Sequence, residues 1–222
     1  MDTRTKYDTK MVKTLYNRTD EEVFNTLTHF SGVVITVLLA SLMLRYGYAM
    51  GWQYAFGVTF FACGMLLMYS CSTLYHWWLP GAGKRLLRVF DHIGIYVMIA
   101  ASYTPICVSV VGGWLGWTVF SLLWLVVAGG ACYKIKAIGR YPKLSLALYL
   151  IMGWSGVLIA GPVFSRLPSA ALWLILAEGL FYTSGTYFYS HDSRRFYHGI
   201  WHLFVLAGSL CHCGAVFAIL EW

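Results

Sequence analysis

The sequence predicts an all-α integral membrane protein: a seven-transmembrane helix bundle with its N-terminus cytoplasmic and its C-terminus extracytoplasmic. Three observations carry this expectation. First, 59% of the 222 residues are hydrophobic and only 11% charged, whereas charged residues make up about a quarter of a soluble domain; the mean hydropathy is +0.64. Second, the apolar residues gather into seven long runs, and a helix needs about 20 such residues to cross the hydrocarbon core. Third, fourteen of the sixteen Lys and Arg residues fall in the N-terminal tail and in every second loop, leaving only Arg45 and Arg166 on the opposite side. The positive-inside rule puts the crowded side in the cytoplasm, and an odd number of spans then carries the C-terminus out.

The elements follow in order. Residues 1–24 form a polar, basic tail without the apolar core or cleavage site of a signal peptide, so the tail is expected to stay in the cytoplasm. Residues 25–222 are expected to form a single transmembrane domain, with spans near 25–45, 52–78, 89–111, 114–133, 143–163, 169–190 and 196–220. The connections are short, which predicts one compact bundle, and 22 glycines suit close helix packing in lipid. Long continuous runs without two-residue alternation exclude a β-barrel. Six cysteines lie inside apolar runs, without disulfide or zinc-ribbon spacing, and read as buried small hydrophobes. The formal charge of +7 is scattered through loops rather than gathered in a stripe, so nucleic acid is not an expected partner. Membrane lipid is, as surroundings and as possible substrate; no feature fixes an oligomeric state.

The polar residues inside the spans can then be given depths. The second span runs inward, so "STLYH" puts Ser72 and His76 at its cytoplasmic end. The third starts inside with Asp91 in its first turn, the seventh starts inside with His198 and His202, and the first opens with Asn25 and His29. Four distant segments therefore converge on one layer. His198 and His202, four residues apart, lie about 40° apart on one helix face, and Ser72 and His76 share that spacing. A tetrahedral zinc takes imidazole nitrogens at about 2.0–2.1 Å; His76, His198 and His202 could supply three, with Asp91 and Ser72 beside them. A membrane histidine equally serves as an interhelical hydrogen bonder, and spacing alone leaves both readings open. His212 lies about 15 Å further along the axis than His202, too far to join such a site, and reads as a packed polar residue. For Asn25 and His29 a structural, bracing role is expected. His92 and His191 fall at loop edges and read as solvated. Glu178, midway along the sixth span, is either functional or bonded to a neighbouring helix.

The motifs "EEVFNTLTH", "STLYH", "FDHIGIYVMIAASYTP", "LYLIMGW", "GLFYTSGTYFY" and "YHGIWHLFVLAGSLCH" resemble successive signatures of the bacterial hemolysin III family. That family is the prokaryotic branch of the progestin and adipoQ receptor family, and it is similar in turn to the alkaline ceramidases, a superfamily of membrane metal-dependent hydrolases. The resemblance covers all seven spans. It implies zinc as cofactor, His76, His198 and His202 as its ligands, Asp91 and Ser72 as catalytic or supporting groups, and a bacterial inner (cytoplasmic) membrane location. Glu178 departs from the family's pattern, where a small residue, often Gly, is expected. Three functions are compatible with the resemblance: a zinc-dependent hydrolase of a lipid amide, a lipid- or ligand-sensing receptor-like protein with a structural zinc, and the pore-forming cytolysin of the family's name. The last fits least, since no span carries a polar stripe to line a channel.

Overall fold

The computed structural model describes the backbone of residues 3–221 and the side chains of residues 20–221. The chain is all-helical there: α1 (Thr3–Met50), α2 (Trp52–Trp77), α3 (Ala82–Pro105, continued by a π-helical turn Ile106–Val111), α4 (Gly113–Ala137), α5 (Pro142–Trp154), α6 (Ala160–Arg166), α7 (Ser169–Ser190) and α8 (Tyr197–Leu220). Among the described residues six segments are long and apolar enough to cross a membrane: Asp20–Met50, Trp52–Trp77, Ala82–Val111, Gly113–Ala137, Pro142–Arg166 and Tyr197–Leu220. The remaining long helix, α7, has 22 residues, about 33 Å, but is less apolar, with Glu178 midway and a run of Ser, Thr and Tyr over its second half. The protein is a multi-pass membrane protein of the helical class.

Packing follows from where the apolar residues go when both the interior and the surroundings are apolar. α2 is the hub, packed between α1 and α3, and α8 packs on α7 and against α1, so that the first and last helices close the bundle. The largest buried cluster joins Met43 of α1, Phe61, Met65 and Tyr69 of α2, and Val205 and Val216 of α8. Leu27, Phe30, Val34, Val37 and Leu38 of α1 point outward, exposed on the bundle's rim, as lipid-facing residues do. Cys107 and Cys213 are buried, but Cys63 and Cys132 sit on the outer face, and all six thiols are free. The expectation of burial fails for that outer pair because a lipid-facing surface is as apolar as the core.

Two breaks shape the bundle. Gly112 and Gly113 follow the π-helical turn with φ of 59° and 54°, values a side chain adopts only with strain, so the chain reverses there into α4. Between α5 and α6 a 3₁₀ turn, Ser155–Ile159, interrupts the span. Tyr103 of α3 bridges that break, its hydroxyl donating to the Gly153 carbonyl and accepting the Gly156 N–H at 2.8 Å. Backbone groups freed inside a bilayer need such a partner.

Candidate metal centre

The N-terminal turns of α8 are set by α1. Phe196, the residue before α8, has a left-handed backbone with φ of 63°, a conformation that costs a non-glycine residue roughly 1–2 kcal/mol. It is held there on several sides. Its N–H donates to Glu21 Oε1 at 2.6 Å, its ring packs edge-on against Phe24 with centroids 5.6 Å apart, and Arg195 beside it pairs with Asp20. Gly199, in the first turn, lies so close to α1 that a Cβ there would run into the Phe24 ring and come within 2.8 Å of Asn25 Oδ1.

Three imidazoles meet below this clamp. The ring centroids of His76 lie 5.0 Å from those of His198 and 5.1 Å from those of His202, and His198 and His202 are 4.7 Å apart. One nitrogen from each falls within 4.8 Å of the other two. Second partners decide which nitrogens these are. His76 Nδ1–H donates to Glu22 Oε2 at 2.7 Å, and Glu22 Oε1 accepts from Lys84 Nζ at 3.0 Å. His202 Nδ1 lies 3.0 Å from Thr28 Oγ1 and 3.2 Å from the Asn25 carbonyl. A carbonyl only accepts, and the Thr28 hydroxyl spends its own hydrogen on the Phe24 and Asn25 carbonyls. His202 Nδ1 therefore carries the proton, and Nε2 of both His76 and His202 is left with a free lone pair.

This donor set fits a metal ion. Metal-binding histidines almost always donate their other ring N–H to a carboxylate or carbonyl, as His76 and His202 do. His76 Nε2 is buried without a hydrogen-bond partner, a costly condition that a ligated cation would relieve. Three imidazole nitrogens are donors of the kind zinc takes.

The surroundings arrange the other expected residues. Ser72, one turn before His76, is buried with no partner for its Oγ. Asp91, its side chain 14% exposed, lies 3.5 Å from His92 Nδ1. His29 stacks on His202 with centroids 3.5 Å apart, and neither of its nitrogens has a partner. Asn25 contributes its carbonyl to His202, while its own Oδ1 is unpartnered. His92 is not solvated as its position suggested: α3 begins at Ala82, which puts His92 in its third turn, with Nδ1 2.8 Å from the Arg88 carbonyl. His191 is exposed. His212 lies apart from the cluster, paired with Glu178 across α7 and α8 at 2.7 Å, so Glu178 is indeed bonded to a neighbouring helix. Cys211 and Cys213, beside His212, join no metal-ligand cluster among the described residues.

Ser72, Asp91, His29, His198 and His202 line one end of a cavity of about 570 Å³, with His76 standing behind them; Glu178 and His212 line it deeper in. Its other walls are mostly apolar side chains of α3, α5, α6 and α7. Some of these, Val157, Phe164 and Trp173, are 67%, 70% and 69% exposed on the outer face of the bundle, so the cavity opens sideways between α5–α6 and α7.

The chain's resemblances to known proteins give its family. A family model described as Haemolysin-III related matches residues 17–213. The chain belongs to that family. The Hemolysin-3 homolog of Bacillus subtilis (strain 168) is 36% identical over 191 residues, spanning 85% of this chain and 89% of the relative. Hemolysin-3 of Bacillus cereus is 34% identical over 190 residues, 85% of this chain and 87% of that one. More distantly, the Heptahelical transmembrane protein ADIPOR2 of Oryza sativa subsp. japonica is 31% identical over 159 residues, 60% of this chain and 67% of the relative. No solved structure matches the chain. In this haemolysin-III-related protein the matched region holds every member of the histidine cluster, Glu22 and Thr28 included. Sequence reasoning missed those two, although Glu22, Asn25 and Thr28 at three-residue intervals mark one face of α1.

Proposed function

We propose that this protein is a zinc-dependent hydrolase of a lipid amide, with its site in the cytoplasmic leaflet of a seven-span bundle in the bacterial inner membrane. One observation carries the reading: three imidazoles, two of them with Nδ1 engaged by α1, bring one nitrogen each within 4.8 Å of the others at the end of an apolar cavity open to the side. α7 serves as the seventh span, supported by its length and by the heptahelical relative, and the Lys and Arg distribution supports the orientation.

His76, His198 and His202 would hold the ion, and zinc so held supplies Lewis acidity toward a carbonyl oxygen and toward water at neutral pH. The chain's own groups do the rest. The apolar cavity takes the acyl chain and excludes bulk water, placing the amide at the histidine end. Asp91 accepts a proton from the attacking water and returns it to the departing amine. Ser72 Oγ, which has no other partner, donates to the oxyanion as the carbonyl becomes tetrahedral. Water and amide are consumed, and a fatty acid and an amine leave.

A second reading, lipid sensing around a structural metal, has its own support: the three histidines and their hydrogen-bond partners come from α1, α2 and α8, which an ion would staple together. Incubating the purified, zinc-loaded chain with ceramide-like N-acyl amides separates the two. Release of fatty acid that falls when Asp91 is replaced supports the hydrolase. Stoichiometric zinc without turnover of any such amide defeats it and leaves the sensor.

A further inference from the structure

The deeper pair in the cavity, Glu178 and His212, takes no part in that chemistry, and a carboxyl inside a bilayer calls for a reason. Glu178 is 8% exposed and His212 2%, and the Phe61 ring packs 4.6 Å from the imidazole. Both line the same cavity as His198 and His202; His212 stands ten positions further along α8 than His202, hence about 15 Å deeper, and Glu178 reaches it from α7. Other polar groups at intermediate depth are already engaged. Tyr69 donates to Ser209 Oγ at 2.8 Å, Ser209 donates to the Val205 carbonyl at 2.9 Å, and Tyr182 shares Ser209 Oγ at 3.1 Å.

The Glu178–His212 pair differs from these in having capacity left over. Oε2 is bound to His212 Nδ1 at 2.7 Å, while Oε1 has no hydrogen-bond partner among the described residues. His212 Nε2 is likewise buried and unpartnered.

We infer that Glu178, braced by His212, is a second polar anchor of the cavity, one that accepts a hydrogen bond from a hydroxyl on the ligand's apolar chain, about 15 Å from the group held at the histidines. The ligand class is thus a long-chain lipid with a second polar group well down its chain. This rests on the cavity binding a lipid by its polar end, as proposed above, but not on that lipid being cleaved. Elsewhere the cavity wall is mostly apolar, and a hydroxyl that leaves water there gains fewer hydrogen bonds than it loses. Chain length therefore selects.

The test is equilibrium binding of tritiated linear amides, from decanamide to hexadecanamide, and of their ω-hydroxylated counterparts, to the purified full chain in detergent. The ω-hydroxyl is expected to tighten binding about tenfold at one favoured length and to weaken it at the others. Glu178→Leu should bring each hydroxylated amide down to or below the affinity of its plain counterpart in the same variant, and Glu178→Gln, which keeps a carbonyl acceptor, should retain most of the gain. A wild-type series with no length at which the hydroxyl helps overturns the anchor, as does a gain that survives Glu178→Leu. If plain amides bind and only the gain is missing, the anchor alone falls; if no amide binds, the lipid-site reading falls with it.

Discussion

Two imidazoles of the cluster owe their tautomers to neighbours: His76 to the Glu22 carboxylate and His202 to the Asn25 carbonyl and Thr28 hydroxyl. Replacing Glu22 with Ala is therefore expected to weaken zinc binding about 10–100-fold, the usual cost of losing such an orienting partner, as read by competition with a fluorescent chelator. His202→Ala should lose most bound zinc and His212→Ala should keep it, since only His202 shares the cluster; metal content after purification without added zinc decides. Equal retention in the two variants would sink the ligand assignment. Asp91→Ala should retain zinc yet lower turnover of an N-acyl amide by about 10–100-fold, so that metal content and activity part company. Much of this site was readable in advance, because a four-residue spacing on α8 and a span polarity suffice to bring His76, His198 and His202 to one depth. Glu22 and Thr28 were harder: which side chain reaches which nitrogen depends on rotations of α1 that spacing on α2 and α8 does not constrain.

At the scale of helices, composition alone carries most of the architecture, since a bilayer demands long apolar runs and permits little else. What it does not carry is where a run stops being α-helical. The π-helical end of α3 and the 3₁₀ turn before α6 are set by neighbours such as Tyr103 supplying hydrogen bonds from another helix, and hydropathy is blind to that. The early start of α3 at Ala82 escaped for a similar reason: Lys84, Arg85 and Arg88 read as loop, yet they lie in the charged first turns of that helix. The α1–α8 contact supplies a test at this scale. Gly199→Val should lower the thermal unfolding midpoint, by overpacking typically worth about 1–3 kcal/mol, because its side chain must displace Phe24 and Asn25; circular dichroism in detergent measures it. The same variant should weaken zinc binding, since moving Asn25 moves the carbonyl that holds His202.

For the molecule as a whole, charge gives the orientation its test. A reporter fused after Trp222 should be active only in its extracytoplasmic form, and one inserted at Gly139 only in its cytoplasmic form, as the division of Lys and Arg between the two sides requires. The opposite result at both points would turn the bundle over and put the histidines in the outer leaflet. The closure of α1 onto α8 has a further meaning in time. Thr28 and His202 are 174 residues apart, and a ribosome adding about 5–20 residues per second leaves the first helix waiting roughly 10–35 s for the last. Through that interval His76 has no histidine from α8 beside it, so if the cluster holds an ion as proposed, a nascent or prematurely ended chain would lack two of its three imidazoles. Metal uptake would thereby become a record of completed synthesis, resting on the packing that joins the oldest part of the polypeptide to the youngest.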